Sequence, residues 1–403
     1  MSTAVLSSPD LRRLLVVGFV ASTVRWLEML AAALFAYRVT ESAFVVAMLG
    51  MLRLLPMGLF GAFIGGAADR FALRSVLVLM VACSTVGTLL LAILASLDAL
   101  AVWHLGVAAF VNGVCWAADN PVRRMMIGIA VGAERMRSAI SYDVASNNVS
   151  RILGPMLAGL LLFRYGVASV FWLGTVLFGL GLVAALQTSQ GKVSILPHHT
   201  NLVTSITEVL VWLRGDPRLL GVLVITVIYN IFGWPCTSMV PVIGTDFFRL
   251  SPRDVGLLAS CEGVGGLVGA LLLARSAATA YGRIYVGAVT TYFVTMAAFA
   301  CAPLAQLAAV ALLLNGAGAV GFSVMQATLI YRDSPVEMRA RLLGVLTVCI
   351  GTGPIGFTYL GLLAEALTPR VATAALAAQG ALALLLTWRY WAPVVRHAPG
   401  RAA

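Results

Sequence analysis

Charge is what this sequence is short of. Asp, Glu, Lys and Arg make up 11% of its 403 residues, and 16 residues are acidic. Soluble domains carry about a quarter of their residues as charges to face water, so a soluble globular chain is excluded. Histidine is scarcer: His104, His198, His199 and His397 fall in loops and ends. No HExxH, P-loop or GxSxG occurs, which argues against a metal site and against a membrane-embedded enzyme or sensor. The cysteines, Cys83, Cys115, Cys236, Cys261, Cys301 and Cys349, lie singly in apolar runs without CxxC spacing. They read as small buried hydrophobes, neither disulfides nor metal ligands. The net charge of +11 is spread in ones and twos, with no basic stripe or interleaved aromatics, so nucleic acid is not an expected partner.

What is present is apolar surface. Hydrophobic residues make up 61% and the mean hydropathy is +0.97, and runs of about 20 residues, enough to cross a bilayer as helix, recur along the whole chain. They place spans at 13–36, 42–66, 75–96, 100–130, 138–163, 167–187, 218–244, 254–274, 283–302, 304–330, 341–365 and 370–392. The first run lacks a small-residue cleavage site, so it reads as a retained span. The expected fold is an all-α membrane protein of about twelve helices. With both termini in the cytoplasm, Arg38, Arg164, Arg249, Arg253 and Arg370 fall outside and Arg25, Arg53 and Arg151 within spans, leaving the rest of the 27 basic residues inside. That bias follows the positive-inside rule.

The longest polar interruption, 188–217, separates two sets of six spans, 1–187 and 218–403. Within it Leu202, Ile206, Val209, Leu210 and Leu213 recur at helical spacing, as in a loop helix that spaces the two sets or an amphipathic helix on the membrane surface. The two sets echo each other: Asn112-Gly113, Glu134, Arg137 and Gly154-Pro155 are followed in the same order by Asn315-Gly316, Glu337, Arg339 and Gly353-Pro354. An internal repeat of this kind places a transporter's binding site between the repeats, near the midplane.

Several segments carry a resemblance: "GGAADRFALRS" between spans 2 and 3, "WLEML", "RLLPMGLFGAFIGGAADR", "DNPVRRMM" and "SRILGPMLAGLL". They resemble the major facilitator superfamily, and within it the bacterial drug-efflux and secretion-effector branch of enterobactin-exporter-like and macrolide-efflux-like proteins. The resemblance implies a multi-pass protein of the bacterial inner membrane that exports an amphipathic small molecule (a drug, siderophore or other secondary metabolite) as a monomer. It implies no cofactor, the proton gradient supplying energy by antiport. A proton-coupled importer is the nearest alternative. It also assigns a gate: Gly65 for close helix approach, Asp69 as the acid facing span 11, Arg70 and Arg74 as bases, and Asp119 as the partner of the loop arginine. The motif departs from the family pattern at Ala72 and Leu73, and its second copy, "LARSAATAYGR", lacks the acid. "RILGPMLAG" resembles the antiporter motif of span 5, with Gly154 for close approach and Pro155 loosening one backbone hydrogen bond. The mid-membrane arginine of the family's span 4 motif falls at Ala109, so coupling is expected to use other groups.

Ionisable side chains cost roughly 2.5–3.5 kcal/mol each in hydrocarbon, so they face a cavity, pair, or work. Arg25 and Glu28 share a face of span 1, with Arg53 expected as a leftover cation on span 2. Asp143, Asn147 and Arg151 form a polar stripe on span 5 directed at the central cavity or span 2, with Asp143 close enough to the cytoplasm to pair with Arg123 or Arg124. Glu262 stands in "CEGVGGLVG" on span 8 without a cation on its own helix, and a carboxyl without a counter-charge in lipid is able to carry a proton. Glu262 and Glu28 are the expected coupling groups.

Overall fold

The computed structural model describes residues 7–68, 72–189, 209, 212–213, 215–275 and 280–396. Among these the regular structure is helical. Six long helices come first: α1 (Pro9–Thr40), α2 (Ala43–Ala68), α3 (Leu73–Ser96), α4 (Val102–Val131), α5 (Ala133–Tyr165) and α6 (Val167–Leu186). Beyond the linker follow α7 (Pro217–Ile228), α8 (Met239–Asp246), α9 (Pro252–Arg275), α10 (Tyr281–Cys301), α11 (Ala305–Asp333), α12 (Val336–Ile350), α13 (Gly353–Ala366), α14 (Pro369–Leu386) and α15 (Trp388–Arg396).

Ten helices among the described residues are long and apolar enough to cross a membrane, counting α7–α8 and α12–α13 as one each. The long helices α4 and α5 are not in that set; they carry Asp119, Arg123 and Arg124 on one and Glu134, Arg135, Asp143 and Arg151 on the other.

Two spans expected to be continuous are broken. Between α7 and α8 the chain passes through a π turn, Tyr229–Gly233, and a 3-10 turn, Trp234–Ser238. Pro235 has no N–H to give the ladder, and Pro241 follows in α8. The expected span 11 likewise breaks at Gly351-Thr352, and Pro354 restarts it in the first turn of α13, where its missing N–H costs nothing. By contrast α5 runs through Gly154-Pro155 unbroken. The last expected span ends at Leu386, and α15 forms a separate helix.

Short turns order the packing. Ser8 caps α1, Asp216 caps α7 through Arg218 and Leu219 N–H, and Thr368 caps α14, each satisfying an otherwise orphaned donor. One apolar core joins α1, α3, α4 and α6 around Leu14, Leu77, Ile127 and Phe178. A larger one surrounds Tyr285, Tyr292, Phe293 and Phe299 of α10. Of the linker helix, Val209 and Leu213 are fully buried in that larger core. Leu202, Ile206 and Leu210 lie outside the described residues.

Candidate functional site

A cavity with about 110 Å³ of water-accessible space lies between α1, α2, α4 and α5 on one side and the broken α7–α8 segment, α9 and α13 on the other. Arg25, Glu28, Arg53, Arg151 and Glu262 reach it, among apolar walls that include Trp26, Trp116, Trp234 and Phe357. Helix packing sets their positions. A Cβ at Gly154 would lie 2.5 Å from Trp26 Cβ and 2.9 Å from the Thr23 carbonyl, so the glycine lets α5 lie directly on α1. Thr23 and Ser150 hydroxyls bond across the same contact at 3.0 Å.

The charges pair differently from the expectation. Glu28 faces Arg53 at 3.8 Å and accepts hydrogen bonds from Thr88 (2.6 Å) and Asn112 (2.9 Å). Arg53 is therefore no leftover cation; its Nη1 also donates to the Arg25 carbonyl at 3.3 Å. Arg25 turns instead to Asp119 on α4, 3.8 Å away, and stacks on Trp116 at 4.6 Å. Helical spacing puts Arg25 and Glu28 near one another, but each finds its partner on another helix, and Glu28 is hydrogen-bonded as well as paired, as a desolvated charge requires.

Asp119 is the centre of a second set. Arg123, one turn further on α4, forks onto both of its oxygens at 3.1 and 3.2 Å, a bidentate arrangement. Arg123 Nη1 also contacts Asp143 of α5. The result is a buried chain of alternating sign, Arg25–Asp119–Arg123–Asp143, running across three helices from the cavity. Asp143 thus pairs with Arg123, one of its two expected partners. A Cβ at Gly18 of α1 would lie 2.7 Å from Arg123 Cζ. Gly18→Ala is expected to push that guanidinium off its carboxylates at a cost of about 1–3 kcal/mol, read as a lower unfolding midpoint of the purified protein. Gly179→Ala, which enters open space, should leave the midpoint unchanged.

Glu262 is not alone. Arg151 Nη2 donates to its Oε1 at 2.6 Å, joining α5 to α9, while the guanidinium lies over Trp26 at 5.0 Å. The polar stripe therefore turns Arg151 toward α9 and the cavity, away from α2. Asn147, one turn earlier, is exposed. The missed signal was distance in sequence: Glu262 finds its cation 111 residues away.

The gate residues are only partly described. Asp69 and Arg70 lie outside the described residues, and Gly65 falls in the last turn of α2. Arg74 donates to the Leu186 carbonyl at 2.5 Å, so it caps the C-terminus of α6, where orphan carbonyls attract a cation. Asp119 is held by Arg123 and Arg25. Gly154 packs on Trp26, and Pro155 sits in the same contact zone, its carbonyl against Gly256 of α9.

Two close contacts were not foreseen. The glycine of Asn112-Gly113 lies against the Arg53 carbonyl, and the glycine of Asn315-Gly316 against the Glu262 carbonyl. Each Asn-Gly pair thus seats the backbone of a residue that carries charge into the cavity.

The family model for the transmembrane secretion effectors matches residues 2–398. Macrolide efflux protein A of Streptococcus pyogenes is 24% identical over 237 residues, 58% of each chain, so the match spans less than two thirds of that relative. Enterobactin exporter EntS of Salmonella typhi is 26% identical over 334 residues, covering 79% of this chain and 77% of its own. A crystal structure of D-xylose-proton symporter superposes with a TM-score of 0.73 at 14% identity, over 97% of this chain and 98% of that one, which shows a shared fold. With pattern, fold and family model in agreement over nearly the whole chain, it belongs to the transmembrane secretion effector family of major facilitator transporters.

Proposed function

We propose that the chain is a proton-coupled exporter of an amphipathic small molecule in the bacterial inner membrane. Two six-helix halves, 1–187 and 218–403, joined by the cytoplasmic linker 188–217, rock about the cavity as a monomer with both termini inside. The observation that carries this reading is the Arg151–Glu262 pair. It is an ion pair at the cavity that ties one half to the other, so its making and breaking is coupled to their relative position.

Contacts between the halves support a cytoplasm-open arrangement. Gly159 and Gly256 meet in the part of α5 and α9 nearest the expected outer face, and Gly361 meets Phe44 near the same end. Toward the opposite end Val144, Ala145 and Asn147 of α5 and Leu59 and Phe60 of α2 are exposed. The matching seats of Gly113 and Gly316 support descent of the halves from one repeat. In this reading Glu262 exchanges Arg151 for a proton when the outer contacts part, Glu28 is the second coupling candidate, and Gly65, Asp69, Arg70 and Arg74 are the gate residues of the cytoplasmic side.

The test uses inside-out vesicles with an acidified lumen and a panel of fluorescent amphiphiles of both charges. Accumulation that collapses with the pH gradient is expected for the wild type and is lost in Glu262→Gln. Accumulation in right-side-out vesicles instead would make the protein an importer, and acid-driven transport by Glu262→Gln at the wild-type rate would remove Glu262 from coupling.

A further inference from the structure

The cavity's polar groups are unequally engaged, and the imbalance specifies the ligand. The acceptors are largely spent. Glu28 takes Thr88 on one oxygen and Asn112 and Arg53 on the other. Glu262 Oε1 takes Arg151, and its Oε2 is, among the described residues, the one carboxylate oxygen of the two glutamates left open. Thr237 and Ser238 turn their hydroxyl protons back to the Trp234 and Pro235 carbonyls at 2.8 and 2.7 Å.

The donors are in surplus. Arg151 presents five N–H groups in a fixed fork, and its hydrogen bond to Glu262 uses Nη2 alone. Arg25 meets Asp119 at 3.8 Å, too long for a hydrogen bond. The Trp26 indole N–H is buried without a partner, on the ring over which Arg151 lies. An unpaired buried donor is costly, and this one belongs to a cavity-lining residue packed on a cation with unused donors. The three lining arginines each face one carboxylate, Arg25 with Asp119, Arg53 with Glu28 and Arg151 with Glu262, so what is in surplus is N–H groups, not charge.

Tryptophan faces are where cations bind most strongly, and those of Trp26 and Trp116 already hold Arg151 and Arg25, which leaves a cationic ligand fewer seats than an anionic one. A ligand also meets apolar wall, such as Phe357 and Leu312.

We propose that the transported compound is an amphipathic organic anion whose carboxylate, or an equivalent pair of oxygens, docks on the free edge of Arg151 beside the Trp26 indole N–H. This rests on the cavity being the translocation site. Glu262 remains on the other edge of the guanidinium, so the anion completes the arginine's hydrogen bonding and does not have to displace the carboxylate. Arg25, which lines the same cavity, adds further N–H groups not used by Asp119.

The test is competition binding to the full-length protein in detergent with radiolabelled 1-naphthoate. The competitors are unlabelled 1-naphthoate, 1-naphthylmethanol and 1-naphthylmethylammonium, which share an apolar body and differ in headgroup. The carboxylate is expected to compete about tenfold better than the alcohol, the size of one charge-assisted hydrogen bond, and better still than the ammonium. Arg151→Gln should erase the preference, and Arg151→Lys should keep part of it, retaining charge without the fork. Trp26→Phe, which keeps a ring under the guanidinium and removes the N–H, should weaken the carboxylate several-fold and leave the alcohol unchanged. Equal or better competition by the ammonium overturns the proposal. So does a preference that survives in monodisperse Arg151→Gln, or an absence of displaceable binding by monodisperse wild type. Where Arg151→Gln fails to fold, the headgroup order of the wild type and of Trp26→Phe decides. Counterflow of the same probes in proteoliposomes separates the two readings: binding without movement counts against transport, and movement without headgroup preference counts against the anion.

Discussion

Arg123→Leu is expected to lower the stability of the folded protein by about 3–5 kcal/mol, the cost of removing one member of a buried ion pair. The side chain is 4% exposed, and its partners Asp143 and Asp119 are 7% and 10% exposed. Without the guanidinium Asp143 loses its cation, and Asp119 keeps Arg25 at 3.8 Å. The loss is larger than for an exposed pair because the stranded carboxylate has no water to turn to. Arg123→Leu/Asp143→Leu, which removes both ends of one bond, should recover most of it, since apolar replacement of a whole buried pair is often neutral. The check is a double-mutant cycle on unfolding midpoints of the detergent-solubilised protein, with a coupling below about 0.5 kcal/mol counting against the pair. A second readout follows from the chain of charges. With Arg123 gone, Asp119 has one cation left and should draw Arg25 from its seat on Trp116, so the variant should alter transport even when it is stable enough to purify.

That chain shows where the sequence is legible and where it is not. Helix positions follow from apolar runs, which are local, and α1, α6 and α9 fall within a few residues of their expected bounds. Asp143 and Arg123 were readable as a pair because a short turn returns α5 alongside α4. The partner of Glu262 was not readable, because apposition of α5 and α9 depends on glycine contacts such as Gly159 with Gly256 and Gly263 with the Arg151 backbone, and no one-dimensional pattern reports which helices meet. The same holds for Arg25: its spacing from Glu28 is a property of one helix, whereas its choice of Asp119 follows from where α4 lies. The broken α7–α8 segment was hidden for another reason. It lies inside one long apolar run, although Asn230, Gly233 and Pro235 make it less apolar than the helix on either side, and its 3-10 turn places Trp234 edge-on to Trp116 of α4, ring centroids 5.9 Å apart. A π turn often marks a functional site within a helix, and here the 3-10 turn and α8 that follow it form one wall of the cavity through Trp234, Thr237, Ser238, Val240 and Pro241.

Gly316→Ala should cost the transporter its coupling while leaving both Arg151 and Glu262 in the chain. A methyl group at this position would overlap the Glu262 carbonyl, and α9 and α11 are equally close at Gly265 against the Leu313 carbonyl and at Gly269, whose Cβ would lie 2.9 Å from Ala317 Cα. Three such contacts on one face leave no slack, since small residues are what allow membrane helices to approach this closely. The helices must therefore separate, at about 1–3 kcal/mol for an overpacked interface, and α9 carries Glu262 with it. A 2.6 Å bond to Arg151 does not survive a shift of an ångström, because hydrogen bonds weaken steeply beyond their normal range. Acid-driven accumulation in inside-out vesicles should fall about tenfold or more, the rate equivalent of the lower part of that range. Gly113→Ala, which meets the Arg53 carbonyl in the same way, should produce a comparable loss through Arg53 and Glu28. Gly287→Ala on α10, with nothing within 4 Å of the added atom, is the control and should transport at the wild-type rate. Wild-type transport by Gly316→Ala would show that the position of Glu262 relative to Arg151 does not limit the cycle, and the tie between the halves would then have to lie elsewhere.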